Sequence, residues 1–408
     1  MVKLFIPILL IIFGLLSDYY IFHRYINSPS VWRWIWWFPA IVICGFILYF
    51  IFFGKGVGQE YNSVNVFLLL LGLFCLPKML FTIFSFIPKI GEWIGLIAAV
   101  GVVGMILWGI TYGFSQIKVR EVVYESASVP KAFDGYRIVQ FSDAHTGTFR
   151  GFYHHLLKES IDTINALNPD LICFVGDIEN FSPSELEPHA KTFATLRAKD
   201  GVVSIMGNHD YSSYVRLSAK ERVAMVRKTR QLQRSFGWRL LENEHHVIHR
   251  HVKDCDGQVY TDSIIVIGEE NWGKPPFPQY GNLTMALSGL SLHEGKIRDA
   301  AADTPVFSIM LSHDPTAWKT HILPVFRPDI TLSGHTHGTQ FSLFGWSPAS
   351  MVYDEWGGEY YDADVTGEHT PQQRHLLSVT TGFGGNFPFR FNMPREVVLL
   401  ILKHKKTN

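Results

Sequence analysis

The stretch Ile138-Val139-Gln140-Phe141-Ser142-Asp143-Ala144-His145-Thr146-Gly147 decides the fold. The apolar run Tyr136–Phe141, of buried-strand length, ends on a short polar cluster, and a glycine closes the turn. The same arrangement recurs along the chain. Leu171–Val175 runs into Gly176-Asp177, and Val202–Met206 runs into Gly207-Asn208-His209-Asp210. Val306–Leu311 leads to His313, and Ile330–Leu332 leads to Gly334-His335-Thr336-His337-Gly338. Further strands are expected at Ile264–Ile267, Leu376–Thr380 and Val397–Leu402. Helical spacing is expected in Phe152–Leu167, Pro183–Leu196 and Tyr214–Phe236. Strands alternating with helices predict an α/β domain, and ligands of such sheets gather where strands end.

The polar residues at those ends are Asp143, His145, Asp177, Asn208, His313, His335 and His337. Carboxylate and imidazole suit Mn, Fe, Zn or Ni. In an extended strand end, Asp-x-His and His-x-His would place both donors on one side, because side chains alternate. A single metal needs three or four protein ligands, so this set is large enough for two metals if one carboxylate bridges. Two divalent ions outweigh two Asp carboxylates, leaving the positive charge that holds a phosphate and acidifies bound water. Those residues point to metal-assisted hydrolysis of a phosphate ester. Any one of these histidines alone would more readily be a core or turn residue; the joint pattern carries the reading.

The constellation resembles the calcineurin-like metallophosphoesterase superfamily. Its motifs D-x-H, G-D-x-x-[DN], G-N-H-[DE], a lone His and G-H-x-H appear in order between about Ile138 and Gln340. Thr380–Leu402, with Gly382, Arg390, Pro394 and Glu396, looks like the C-terminal signature of the membrane-anchored branch. The resemblance implies an α/β/β/α sandwich. It implies one metal on Asp143, His145, Asp177 and His337, and a second on Asp177, Asn208, His313 and His335, with Asp177 bridging. It also implies attack by a hydroxide held between the metals. His209 is expected beside the phosphate as general acid or hydrogen-bond donor. The last position of G-D-x-x-[DN] is Asn180 here, where many members have Asp. Its neutral side-chain amide is expected to orient His209 while stabilising an imidazolium less than a carboxylate would.

The rest of the chain reads differently. Over 408 residues, 36 Lys+Arg balance 36 Asp+Glu, and only 18% of residues are charged. Zero net charge argues against binding nucleic acid through bulk charge. The charge is unevenly placed: before Ile117 stand only Lys3, Arg24, Arg33, Lys55, Lys78 and Lys89 with Asp18, Glu60 and Glu92. Leu4–Phe22, Ile35–Phe53, Val64–Ile87 and Trp93–Phe114 are each long and apolar enough to be spans. The first lacks an A-x-A-like cleavage site and is expected to be an uncleaved span. Pro77-Lys78 should kink the third or split it. Asp18 is expected at an interface. We therefore expect a four-helix transmembrane region over 1–117 and a metallophosphoesterase domain over 118–408, in a multi-pass membrane protein. Lys3, Lys55, Lys118, Arg120 and Lys131 against Arg24, Arg33, Lys78 and Lys89 lean towards a cytoplasmic domain.

Other features carry less. Cys44, Cys75, Cys173 and Cys255 have no metal or redox spacing. The histidines of His245–His251 lack carboxylate partners and read as a solvated strand. Tyr214–Phe236 carries seven basic residues, either a solvated face or a surface for anionic headgroups. The expected protein is a membrane-anchored binuclear hydrolase of a phosphodiester, pyrophosphate or phosphomonoester, its natural class being lipid-linked. The alternative is a non-catalytic metal-binding membrane scaffold or sensor. A transporter is disfavoured, since Asp18 and Lys78 alone would line a path. Loops such as Asn271–Tyr280 and Tyr353–Tyr361 are expected to contact substrate.

Overall fold

The computed structural model describes residues 2–26, 31–53, 61–253, 257, 259–299, 304–362 and 375–405. The chain divides into two compact units, Met1–Gly113 and Phe114–Asn408. Cys255 lies outside the described residues.

The first unit is helical: α1 Val2–Ile21, α2 Trp32–Phe52, α3 Tyr61–Leu70, α4 Leu76–Ser85 and α5 Gly91–Trp108. Among the described residues, three helical stretches are long and apolar enough to cross a membrane: Arg33–Phe52, Tyr61–Ser85 and Gly91–Gly113. Helix α1 covers the first expected span without adding a fourth to that set. The expected break at Pro77 takes another form. A π-turn, Leu71–Cys75, joins α3 to α4, and Pro77 falls in the first turn of α4. Proline has no N–H to donate and crowds the preceding carbonyl, and widening the turn just ahead of it keeps the helix continuous. Asp18, expected at an interface, is buried among the helices at 2% exposure and is bonded to the Lys78 ammonium. That ammonium also lies 4.5 Å from the centre of the Trp36 ring. Two charges within apolar helices are tolerable because they neutralise each other.

The second unit contains β1 Ile117–Ser126, β2 Arg137–Phe141, α6 His154–Ala166, β3 Leu171–Val175, α7 Ala190–Phe193, β4 Val202–Ile205, α8 Ala219–Ser235 and β5 Arg239–Leu240. After these come β6 Glu244–Lys253, β7 Val259–Gly268, α9 Leu283–Ala286, β8 Ser291–His293 and β9 Lys296–Arg298. The last strands are β10 Phe307–Leu311, β11 Ile330–Ser333, β12 Gly358–Tyr361, β13 Leu376–Val379 and β14 Arg395–His404. Two mixed six-stranded sheets result, in the orders β1-β14-β2-β3-β4-β5 and β12-β13-β11-β10-β7-β6. Alternation sorts their side chains. Ile138, Leu171, Val203, Ile309 and Leu332 form a core shared by both sheets. Val139, Phe141 and Ile172 pack with Leu157 and Ile161 of α6. Ile265, Ile267 and Met310 pack with Leu283 and Phe326 on the second sheet's other face. The α/β class agrees with the strand–helix alternation, and the two packed sheets agree with the sandwich that the resemblance implies.

Two helices differ from expectation. Pro183–Leu196 breaks into short 3₁₀ turns and α7, because Pro188 inside it cannot donate into a regular helix. Helix α8 starts late, at Ala219, where Ser218 and Glu221 form a reciprocal capping box. Several of its cations are spent locally: Lys228 pairs with Glu187, Arg230 with Glu242 and Glu270, and Arg234 with Glu242. The histidines of the 245–251 stretch lie on β6, which pairs antiparallel with β7 at the sheet edge.

Candidate metal centre

Strands β2, β3, β4, β10 and β11 end at one side of the sandwich, and the seven expected donors come from the loops that follow them. The structure gathers them into two groups. Asp143, His145, Asp177 and His337 offer ligand atoms within 4.8 Å of one another, and so do Asp177, His313 and His335. Asp177 belongs to both. His337 Nε2 is 3.2 Å from Asp143 Oδ1 and 3.1 Å from His145 Nε2. His313 Nε2 is 3.1 Å from Asp177 Oδ2. Asn208 is nearly fully buried, and its Oδ1 has no hydrogen-bond partner while its Nδ2 donates to Tyr214 Oη at 2.8 Å.

These positions are not reached by strand alternation, as the spacing suggested. Strand β2 stops at Phe141, and Asp143, His145, Asp177, His335 and His337 all have positive φ, between 42° and 73°. Five non-glycine residues in the left-handed region mark stored strain at one locus, which native structures keep where function needs it. Gly207 and Gly334 make room for it. A Cβ at Gly207 would collide with the Asp177 carboxylate, and one at Gly334 with Ser142 and the Asp143 carboxylate.

Main-chain bonds hold the loops. Asp210, fully buried, accepts N–H bonds from Asp177, Ile178 and Gly207 at 2.9 Å and from Glu179 at 3.2 Å. It therefore staples the second loop to the third. The Asp177 carboxylate accepts the His209 N–H at 2.8 Å, and the Asp143 carboxylate accepts the His335 N–H at 3.0 Å. His313 Nδ1 lies 2.7 Å from the Val175 carbonyl, which fixes that ring and leaves Nε2 towards Asp177.

Burial opposes ionisation of Asp143 and Asp177, but neighbouring imidazoles outweigh it and hold both carboxyls below their usual range. In return, the two carboxylates raise His313 to about 10 against its burial. Such a cluster holds positive charge strongly. Burial lowers His145, His209 and His335. The converging donors, the unpartnered Asn208 oxygen and the preset His313 ring fit a pair of divalent cations.

His209 corrects one expectation. Its Nδ1 lies 2.5 Å from the main-chain carbonyl of Asn180, not from the side-chain amide. The Asn180 side chain turns instead towards the carbonyls of Gly385 and Asn386, at 3.4 and 3.5 Å, and its own Oδ1 has no partner. Any residue at 180 offers the same carbonyl. The ring of His209 also lies against Tyr214, with centroids 4.4 Å apart.

A cavity of about 300 Å³ opens here, lined by Asp177, Asn208, His209, His335 and His337. Its wall also includes Phe277, Thr339, Tyr353, Asn386 and Phe387. Phe277 and Tyr353 come from the two loops expected to meet substrate, and the Tyr353 hydroxyl is 3.0 Å from His335 Nε2. Asn386 and Phe387 were not foreseen. They stand on a loop organised by Arg390, whose fully buried guanidinium donates to the carbonyls of Thr381, Gly382, Gly384, Met393 and Pro394. No sequence signal identifies main-chain acceptors.

Comparison with known proteins agrees with this geometry. A family model described as calcineurin-like phosphoesterase matches residues 136–339. The chain is 30% identical over 311 residues to the uncharacterized metallophosphoesterase YkuE of Bacillus subtilis, covering 74% of this chain and 92% of that protein. It is 28% identical to UDP-2,3-diacylglucosamine pyrophosphatase LpxG of Chlamydia muridarum, over 67% of this chain and 86% of that one. It is also 27% identical to a transmembrane protein with metallophosphoesterase domain from Danio rerio, over 73% and 60% of the two chains.

Proposed function

Because this chain belongs to the calcineurin-like phosphoesterase family, we propose that it is a membrane-anchored phosphoesterase using two divalent cations. The observation that carries this is the pair of donor groups meeting at Asp177 on the floor of one cavity. In this reading Asp143, His145, Asp177 and His337 hold one cation, and Asp177, Asn208, His313 and His335 hold the other. The ions are Mn²⁺, Fe²⁺/Fe³⁺ or Zn²⁺, given the mixed imidazole, carboxylate and amide donors. When bound, such a pair supplies Lewis acidity and a nucleophilic water at neutral pH.

The chain's own groups do the rest. Asp143 and Asp177 remain ionised and keep positive charge at the cavity floor. His209 points Nδ1 at the Asn180 carbonyl, so its free ring atom is Nε2, on a residue that lines the cavity. Burial keeps that ring neutral near pH 7. Nε2 would take a proton from a water in the cavity and pass that same proton to the departing ester oxygen, which returns the ring to its neutral form.

For substrate, we infer a phosphodiester, pyrophosphate or phosphomonoester carried by a lipid. Apolar helices in the same chain and the similarity to a pyrophosphatase named for a diacylated sugar nucleotide support this class. Multi-pass insertion, with the phosphoesterase unit on the cytoplasmic side, completes the proposal. The test is hydrolysis by full-length protein in detergent with Mn²⁺, on a chromogenic phosphodiester and a monoester. Activity lost in Asp177→Asn and His209→Ala supports the reading. Wild-type activity absent with every metal, or equal to that of Asp177→Asn, overturns it in favour of a non-catalytic scaffold or sensor.

A further inference from the structure

Residues 338–353, Gly-Thr-Gln-Phe-Ser-Leu-Phe-Gly-Trp-Ser-Pro-Ala-Ser-Met-Val-Tyr, contain no charged side chain. They begin directly after His337 and end on Tyr353, whose hydroxyl meets His335. Within them the main chains of Leu343 and Trp346 exchange hydrogen bonds at 2.8 and 3.0 Å, closing a tight hairpin with Phe344-Gly345 at its tip. Both tip residues have positive φ, 50° and 81°. Such a turn favours Asn or Asp followed by Gly, since left-handed backbone crowds a large side chain.

Phe344 nevertheless occupies the first position and is 99% exposed, so its ring gains nothing from packing in the fold. Trp346 is 51% exposed, Met351 77% and Val352 71%. With Leu343 at 43%, five large apolar side chains are exposed on one short uncharged segment, where a water-facing loop would carry polar residues.

We propose that the tip Leu343–Val352 enters the interface of a lipid bilayer and seats the mouth of the cavity on the membrane surface. Phe and Trp are the residues that settle at the boundary between headgroups and acyl chains. The chain's own apolar helices bring a bilayer to this unit at high effective concentration, which no free protein partner shares. The segment also lacks the charges by which a protein partner would be selected. Helix α8 is the poorer candidate, since Lys228, Arg230 and Arg234 are paired within the fold.

Hydrogen bonds join the base of the hairpin to residues beside the centre. Ser347 Oγ donates to the Gly338 carbonyl at 2.7 Å, and Thr339, which lines the cavity, lies 3.1 Å from the same hydroxyl. Thr339, Gln340 and Tyr353, which flank the hairpin, line the cavity, so anchoring the segment would hold the cavity close to phosphates at the headgroup level. The proposal concerns where the unit meets lipid and stands whatever ester is cleaved.

The test uses the full-length protein reconstituted in phosphatidylcholine–phosphatidylglycerol vesicles. The photoreactive residue p-benzoylphenylalanine replaces Phe344 in one sample and Met351 in another. A third sample carries it at Val223, an exposed apolar position on α8. After irradiation, mass spectrometry should find a lipid adduct at 344 and at 351, exceeding that at 223 by about tenfold. No lipid adduct at either tip position, a cross-link between two copies of the chain, or equal labelling at 223 would overturn the proposal. Using two tip positions keeps the test decisive if one variant fails to fold.

Discussion

Replacing Arg390 with Lys tests how the wall of the cavity is held. The guanidinium sends Nε to Gly384 O at 3.0 Å, and Nη1 to Met393 O and Pro394 O, each at 3.1 Å. Its Nη2 reaches Thr381 O at 2.9 Å, Gly382 O at 3.0 Å and Gly384 O at 2.7 Å. Five carbonyls therefore depend on one side chain. An ammonium has only three N–H groups, so at least two carbonyls lose their partner even in the best geometry. Each buried orphan costs about 1–3 kcal/mol, giving a loss of about 4 kcal/mol for the pair. The readout is hydrogen exchange in the peptide spanning 381–394. There the amides of Phe383 and Gly384 donate to Ser142 O and Asp143 O, both at 2.8 Å. If opening of this loop governs their exchange, about 4 kcal/mol accelerates it about a thousandfold. Acceleration below about tenfold would mean less than about 1.4 kcal/mol was lost, and would refute the role assigned to Arg390.

Other outcomes follow from the same geometry. His209→Ala should lower kcat by about 10²–10⁴-fold, as loss of an acid–base group does. Asn180→Ala should stay within about threefold of wild type, because a main-chain carbonyl orients the ring and general acid–base catalysis is left intact; a loss as large as that of His209→Ala would contradict this. Burial raises the Glu185 carboxyl to about 7, against the opposing Asn180 N–H bond. A raised folded pKa means a contribution fully present below about 4.5 and lost as pH rises through about 7, worth about 3 kcal/mol. Glu185→Gln should thus gain thermal stability relative to wild type between pH 5 and pH 8, and parallel melting curves at the two pH values would count against it. Phe344→Asn, which suits the left-handed turn, should leave melting unchanged or raise it by the equivalent of about 1 kcal/mol; a marked drop would show that the Phe344 ring packs in the fold.

The parts legible in the sequence were those governed by local pattern. Buried strands such as Leu171–Val175 and Ile330–Leu332 are continuous apolar runs bounded by glycine and polar residues, and they lie in the sheets as expected. The motifs at their ends named every donor that the structure brings together. What alternation could not supply was the local conformation: Asp143 and His145 converge through left-handed backbone after the strand has ended. Strand β1 escaped notice because Lys118, Arg120 and Glu121 interrupt its apolar positions, while its pairing with β14 lies more than 270 residues away. The roles of Asn180 and Arg390 were hidden for a different reason. Both act on or through main-chain carbonyls, which every residue carries and no sequence distinguishes. The hairpin at Phe344 was equally opaque, since Phe-Gly is not the pair that its turn prefers.

The central claim is that Asp177 joins two cation sites. The most direct test is metal content, by inductively coupled plasma mass spectrometry, of full-length wild type and Asp177→Asn after identical loading with Mn²⁺ and removal of free ion. About two ions per wild-type chain are expected, as a two-metal centre requires, with a clear loss of bound metal in the variant. Fewer than about one ion per wild-type chain, or the same content in both proteins, would contradict it.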